Sequence, residues 1–355
     1  MPLNPLTAVT ASDPYSYYRE LVSERPFHWD AGLGVWVAAS ARAVEEALTN
    51  TALCVRPRGE PVPHAISGTA VGELFGHWAR MTDGKSHDAG RSAACRHIDA
   101  VNFEALQTRS PKGETRINTA QLHTFAFTFP ARTLAMSMGI EDSGATEWTH
   151  ALVRAIAAGA TTEDVARGCE AVASFRAAFG KRGITEAVSV ANAIALLFQT
   201  YDATAALMGN SLVAFAAGDA SRTMPLQTVV AEVARYDSPV QNTRRFAASD
   251  TKVFGTKIYE GDAVLVLLAA ANRDPSANPE PQRFRIERAD RRTYTFGVGP
   301  HACPGARIAS AIARAGLEHL LESGLQLESL RVASYRPSPN IRMPDFEISS
   351  FKRIV

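Results

Sequence analysis

Apolar residues recur at three- and four-residue spacing along much of the chain, the period of a helix with one face in a core. Asp13–Glu24 and Ala41–Thr49 read as short helices, with a strand around Val35–Ala39 between them. A further helix is predicted from His87 to about Ala100. From Ala145 to about Ala220 the chain is Ala-rich and mostly helical. Within it, Thr161–Thr162–Glu163–Asp164 resembles a capping box opening one helix, and Gly180–Gly183 breaks that helix. The longest helix then runs from about Glu186 to Ala217, and Leu226–Tyr236 forms another that stops before Pro239. The pattern changes after that. RRFAAS, TKVFGTKIY and DAVLVLLAA are β-rich runs separated by Gly and Asp turns. ANPEPQRF follows as irregular chain, and after it come a final helix, Ala306–Ser323, and short strands. Residues 55–86 are rich in Pro, Gly and His and read as a long irregular segment, the kind that often carries function. The expected architecture is mainly α with a smaller β-rich region. No clean linker divides it, so residues 1–355 read as one domain.

Composition narrows the classes of function. The 355 residues are 46% hydrophobic and 21% charged, enough for a buried core. A net charge of +1 gives no electrostatic reason to expect nucleic acid or a membrane surface. The N-terminus lacks the basic and apolar stretches of a signal peptide. The longest apolar runs, such as Ala263–Ala271, fall short of the roughly 18–20 residues that span a bilayer. The expectation is a cytoplasmic protein with no membrane anchor. Cys54, Cys95, Cys169 and Cys303 are far apart and form no CxxC pair, which argues against a disulfide framework or a cysteine-rich zinc site.

One cysteine has unusual surroundings. Residues 296–305 read FGVGPHACPG. Gly297, Gly299 and Gly305 let the backbone turn tightly and let a planar ligand approach without Cβ clashes. Pro304 and Gly305 lead into the final helix, so Cys303 sits beside a helix N-terminus, where backbone N–H groups favour a thiolate. That combination suits a sulfur donating to iron. Two other readings stand beside it. One is a buried cysteine held for packing. The other is a dinucleotide loop, because Gly297, Gly299 and Ala302 fit GxGxxG/A. Pro300 and Pro304 interrupt that loop, and the preceding RRTYTF is not a buried apolar strand.

FGVGPHACPGARIA resembles the haem-binding signature of the cytochrome P450 family, matching at Phe296, Gly299, His301, Cys303 and Gly305. The resemblance implies the cytochrome P450 fold, haem b as cofactor and Cys303 as the iron ligand, with Phe296, Gly297, His301 and Gly305 around it. Other stretches match independently. Glu232–Val233–Ala234–Arg235 matches the family's ExxR element, a buried ionic lock whose third member is matched by Arg283. Arg245 ends a PVQxTxR-like stretch and, with the HxxxR pair His87 and Arg91, is implied to hold the haem propionates. A propionate-binding histidine frequent in the family is missing: Thr293 stands there, with Arg292 beside it.

The central helix departs from the family. It usually reads Ala/Gly–Gly–x–Asp/Glu–Thr, where the acid and alcohol relay protons. Aligned on LMGN at 207–210, this chain has Gln199, Thr200, Tyr201, Asp202 and Ala203 there, with Thr204 one residue on. Three accounts are open. A local bulge could bring Thr204 or Thr200 into the relay. A substrate hydroxyl or ordered water could supply the proton, fed by Asp202. Or the chemistry is not ordinary dioxygen scission, and Gln199 contacts the substrate or an iron-bound ligand. The candidate catalytic set is therefore Asp202, Thr204, Gln199 and Thr200.

The lid region between about 100 and 190 is short for the family, which suggests an open distal pocket for a large or carrier-borne substrate. Residues 197–204, Val240–Thr243, 60–80 and Pro337–Arg342 are expected to line it. The implied function is oxidation of a small organic molecule in secondary metabolism, with electrons from a separate ferredoxin or flavodoxin-type donor. Arg91, Arg96 and Arg307 are candidates to dock that donor. The rival readings are a peroxide-driven or redox-independent enzyme catalysing rearrangement or dehydration, and a non-catalytic haem sensor or carrier-protein recruiter.

Overall fold

The computed structural model describes residues 3–101, 117–140 and 144–348. Helix α1 (Tyr15–Glu24) leads into the hairpin β1 (Phe27–Asp30) and β2 (Val35–Ala38), and α2 (Ala41–Thr49) follows, capped by Ser40. The short β3 (Leu53–Cys54) completes this N-terminal part. Much later in the chain, β4 (Thr243–Ala247) and β7 (Ala263–Val266) return to the same place. The result is one sheet of order β1-β2-β7-β4-β3, in which β2 and β7 run parallel and the other neighbours antiparallel. Between β4 and β7 lies the hairpin β5 (Thr251–Val253) and β6 (Thr256–Ile258). The helix α10 (Leu268–Asn272) takes up the second half of DAVLVLLAA, which had been expected to be strand throughout.

Helix α3 (Ala70–Gly76) interrupts the segment expected to be irregular, and α4 (Gly84–Asp99) begins before His87. Three further helices precede the central one: α5 (Thr119–Ser137), α6 (Ala145–Ile156) and α7 (Thr162–Gly180). The pattern did not predict α5, which contains Pro130 and is held at its start by a capping box between Asn118 and Gln121. At the start of α7, Thr161 and Asp164 cap one another as their spacing suggested. Part of the shortened lid region, residues 102–116 and 141–143, lies outside the described residues.

Helix α8 (Ala187–Ala217) is the axis of the fold. Its 31 residues make it about 46 Å long at 1.5 Å per residue. The Glu186 carboxylate accepts the N–H groups of Val188 and Ser189 at its start, and left-handed Gly218 ends it. Two apolar clusters divide it. Val190–Leu197 pack with Trp78, α6 and α7. Ala205–Phe215 pack with α9 (Leu226–Tyr236), with α11 (Ala306–Glu322) and with the terminal hairpin β8 (Leu330–Tyr335) and β9 (Pro344–Ile348). Residues 199–204 belong to neither cluster. There the helix surface opens: Leu196, Phe198, Gln199, Asp202 and Ala203 form one accessible stripe. No helix among the described residues is long and apolar enough to cross a membrane.

Candidate active site

The cysteine loop hangs from a buried amide. The Asn272 side chain accepts the Tyr294 N–H at 2.6 Å and donates to Thr295 Oγ1 at 2.9 Å and Ser238 Oγ at 2.6 Å. Thr295 in turn donates to the Ala234 carbonyl on α9. Nothing in the spacing of Asn272 from the loop signals this role in the sequence. Beyond Thr295 the backbone folds on itself. Gly297 N–H donates to Tyr294 O, Cys303 N–H to Phe296 O and Ala302 N–H to Gly299 O. Gly297 and Gly299 both have left-handed φ, at 67° and 73°, and a Cβ on Gly299 would lie 3.2 Å from the Leu48 carbonyl. Gly305 has an ordinary φ but caps α11, and a Cβ there would stand 3.8 Å from Cys303 Sγ, on ground a flat ligand would need.

Cys303 is the exposed cysteine among the four, yet surrounding protein desolvates its thiol and raises its pKa. A group that probes can reach and protein still crowds must line an inward-facing recess. The Gly305 N–H, Arg80 and Arg91 pull the thiol the other way without overcoming burial. Burial thus opposes the thiolate that the helix N-terminus favours, and a bound metal would deprotonate it outright.

Charged groups ring the recess. Arg91 donates from Nη1 to the Ala302 carbonyl at 2.7 Å, so it braces the cysteine loop directly. His87 is buried, its ring centroid 4.2 Å from that of His301, and it pairs with Asp88 at 3.2 Å. Burial and the neighbouring His301 hold its pKa below the usual histidine range. His301 Nε2 lies 3.1 Å from Asp83, whose other oxygen accepts the Val55 N–H. Arg245 is buried on β4 and donates only to the Arg244 carbonyl. Burial, opposed by Asp83 and aided by the like charge of Arg80, pushes its pKa down to about 10. Arg292, beside the missing histidine position, is exposed and turned towards Glu45.

The ionic lock differs from expectation in one member. Glu232 and Arg235 are fully buried and joined by two hydrogen bonds, of 2.7 and 3.1 Å. The third arginine is not Arg283, whose side chain is 71% exposed and pairs with Glu280. Only its backbone carbonyl enters the lock, accepting from Arg235. Arg291 bonds Glu232 at 2.9 Å and Arg288 lies 3.7 Å away. Arg283 follows the proline-rich turn in the family's position, but its stem points outward while the chain curls back eight residues later. Burial alone would raise the Glu232 carboxyl; its hydrogen bonds from Arg235, Arg291 and the Arg285 N–H hold it below the ordinary range.

Across the recess, α8 is a continuous α-helix through 199–204, so no bulge shifts Thr204 or Thr200. Thr204 is buried, and its hydroxyl has no partner among the described residues. Thr200 is buried beside it. Gln199 turns its amide N–H to the Ala195 carbonyl, one turn back. Gln199 and Ala203 share the accessible stripe. The Asp202 carboxyl makes no hydrogen bond; burial raises its pKa, and Arg336 and His150 pull it part of the way back. Tyr201 lies in the expected lining stretch, and its hydroxyl is hydrogen-bonded to His150 of α6 at 3.1 Å. In two of the expected lining stretches individual side chains turn inward. Gln241 is fully buried among Ser238, Tyr15 and Asn340, and Arg342 is buried against Asp237 and the carbonyls of Val9 and Ala11. Arg342 and Tyr15 border a separate cavity of about 320 Å³, between α1 and the C-terminal half of α8, which contains none of the groups around Cys303.

The chain is a helix-rich body built on one long axial helix, with one exposed cysteine sulfur at a helix N-terminus near Arg80 and Arg91. Residues 185–324 match the family model for cytochrome P450. The biotin biosynthesis cytochrome P450 of Bacillus subtilis is 34% identical over 167 residues, 44% of this chain and 42% of that one. The 20-oxo-5-O-mycaminosyltylactone 23-monooxygenase of Streptomyces fradiae is 34% identical over 165 residues, 45% of this chain and 37% of that one. The aligned stretches span between 26% and 42% of the curated relatives' own lengths. The crystal structure of P450BioI, in complex with an acyl carrier protein ligated to hexadec-9Z-enoic acid, superposes with a TM-score of 0.72 at 23% identity. It covers 94% of this chain and 97% of that one. Residues 185–324 are thus similar to the cytochrome P450 family, and the chain has the cytochrome P450 fold. The cofactor the family implies is haem held by a cysteine thiolate, and the residues around Cys303 fit it: a reachable sulfur, a side-chain-free Gly305 beside it, and guanidinium groups for acidic edges.

Proposed function

We propose that this protein is a haem b-dependent monooxygenase that oxidises a small organic molecule, free or carried on a protein, in secondary metabolism. The observation that carries the reading is the Cys303 thiol, open to a recess yet enclosed by protein and ringed by Arg80, Arg91 and Arg245. Haem, once bound, would supply the oxidising chemistry at iron. Cys303 would hold the iron, and the Gly305 N–H would withdraw charge from its sulfur. Arg245 and His87, both buried, would meet the porphyrin's acidic edge, and Arg91 fixes the loop that presents the sulfur.

On the substrate side, Asp202 would hold a proton to higher pH than an exposed carboxyl, because burial favours its neutral form. The side chain on its accessible flank is Ala203, which cannot pass that proton on, so a substrate hydroxyl or an ordered water must bridge the gap. Thr204 would take part only if its buried hydroxyl turned outward, while Gln199 has its carbonyl oxygen available on the accessible stripe. Electrons would come from a ferredoxin or flavodoxin-type donor. The carrier-borne alternative draws support from P450BioI, a fold neighbour solved on an acyl carrier protein.

The test is spectroscopic. Reduced protein treated with carbon monoxide should give the red-shifted Soret band of a thiolate-ligated haem, and Cys303→Ala should lose it. An unchanged spectrum in the alanine variant would overturn the reading. Turnover with peroxide alone, and none with reductase and donor, would move the protein to the peroxide-driven class.

A further inference from the structure

The cavity of about 320 Å³ between α1 and the C-terminal half of α8 takes no part in the chemistry around Cys303. Its charged side chains, three guanidiniums and three carboxylates, balance, so charge count alone selects no ion. The hydrogen bonds do select. Arg342 donates from Nε to Asp237 at 2.9 Å and from its terminal nitrogens to the carbonyls of Val9, Ala11 and Ser12. Arg273 is buried and donates to the Tyr236 carbonyl and to Gln282 Oε1. The third, Arg19, is exposed. The two enclosed arginines thus spend their hydrogen bonds on the protein's own oxygens.

Acceptors, in contrast, are left over. Asn210 is fully buried on α8. Its amide nitrogen donates to the Asp237 carbonyl at 2.8 Å, while its amide oxygen has no partner among the described residues. Asp237 spends one carboxylate oxygen on the Tyr15 hydroxyl and Arg342, and its other oxygen accepts no hydrogen bond among the described residues. The exposed Asp219 carboxylate accepts none either. A buried acceptor without a donor is costly, and a group that donates there recovers the loss. Helix ends act in the same direction. Asp219 stands two residues past the end of α8 and Asp237 caps the end of α9, where the negative ends of both helix dipoles favour a cation.

The surroundings narrow the cation. No group of three His, Cys, Asp or Glu side chains that could hold a metal ion occurs among the described residues, and the cavity is far larger than an ion. A quaternary ammonium is held by open aromatic faces. Here the rings are already stacked on the protein's own guanidiniums. Arg273 Cζ lies 4.1 Å from the Tyr15 ring centre and 3.7 Å from that of Tyr236, and Arg342 Cζ lies 3.5 Å from that of Tyr335. A primary ammonium instead carries three N–H donors and no acceptor, which matches the three oxygen sites left over. Val213, Ala214 and Val233 offer an apolar wall to a short carbon chain.

We propose that this cavity is an accessory binding site for a small primary amine, held as its ammonium by Asn210 Oδ1, the free oxygen of Asp237 and the Asp219 carboxylate. None of the groups around Cys303 lines it, so the proposal stands apart from the haem reading.

The experiment titrates the purified protein at neutral pH, by calorimetry, with the chlorides of n-butylammonium and n-butyltrimethylammonium and with n-butanol. The Soret band of bound haem is followed in parallel, because an amine can also ligate iron. Native protein is compared with Asp219→Asn, which changes an exposed residue with no hydrogen bond to lose, and with Val213→Phe, which fills the cavity. The expected result is saturable heat from n-butylammonium with an unmoved Soret band, weakened about fivefold or more in Asp219→Asn and lost in Val213→Phe. The proposal is overturned if n-butylammonium gives no saturable heat, if n-butanol or the trimethyl compound binds as tightly, or if Asp219→Asn binds as the native protein does. Heat that tracks a Soret shift and survives both substitutions is iron ligation, and overturns it too. If Val213→Phe does not fold, Asp219→Asn decides alone. A missing thiolate Soret band would sink the haem reading and leave these heats unchanged, so the two failures look different.

Discussion

Behind Cys303 the buried polar groups described are densely partnered, Arg288 Nε excepted, whereas on the 199–204 stretch of α8 the buried Thr204 hydroxyl has no partner and the half-buried Asp202 carboxyl makes no hydrogen bond. Glu232 takes bonds from Arg235, Arg291 and the Arg285 N–H, and Asn272 uses both ends of its amide. Across the recess, the Thr204 hydroxyl is unpartnered, Asp202 is a desolvated carboxyl without a hydrogen bond, and Ala203 offers no polar atom. The first region does one thing whatever the substrate: it holds a loop still, and saturation of its hydrogen bonds makes it rigid. The second must meet a changing partner, and its free valences are what a ligand or water would complete. Stability and chemistry are thus divided between two faces of one recess.

The comparison can be broken most forcefully at Glu232. Replacing it with Gln leaves Arg235, Arg291 and Arg288 without their countercharge, and a loss of about 3–5 kcal/mol is expected in denaturant unfolding. The acid limb should change as well. The Glu232 carboxyl is held low in the fold, so its stabilisation is fully present above the unfolded value and lost as pH falls through the folded one. Glu232→Gln should therefore show a flatter decline in stability on acidification. A variant as stable as the native chain would mean that the region behind Cys303 is not held by its ion pairs.

Asp202→Asn probes the opposite face and should have the opposite sign. The Asp202 carboxyl is raised, so its contribution is favourable below the unfolded value and is lost as pH rises through the folded one. The amide removes that penalty. Its thermal midpoint should exceed the native one at pH 7 and converge with it in acid. Product formed per electron consumed should fall several-fold, because the proton reservoir is gone. A stability loss at pH 7 would show that Asp202 is structurally partnered after all.

The smallest effect is expected at Arg283. Its side chain is exposed and its pair with Glu280 is a surface one, so Arg283→Ala should change unfolding stability by no more than about 0.5 kcal/mol. A loss of several kcal/mol there would restore it to the lock and displace Arg291.

The helices with strong periodicity were legible because their apolar faces and caps are local features. Leu226–Tyr236 and the capping box at Thr161 were read directly from the chain. Helix α5 was not: its start depends on Asn118 and Gln121, its interior holds a proline, and packing against α8 sustains it. Around the site, Cys303, Gly297 and Gly299 declared themselves by spacing, since turn geometry and a helix N-terminus are set within ten residues. Arg291 and Asn272 did not, nor did the bond between Tyr201 and His150. Each acts on a partner tens of residues away in the chain, and no short window contains both halves of such a contact.

By itself, the sequence determined that a cysteine would stand behind a glycine-rich turn at the head of a helix, and that a Glu–Arg pair would share one face of another. Both follow from residue spacing and backbone sterics. Which arginine completes the lock and which polar groups of α8 face the recess were decided only by the folded chain. Those depend on where long side chains run once solvent is excluded, and burial, not spacing, sets that.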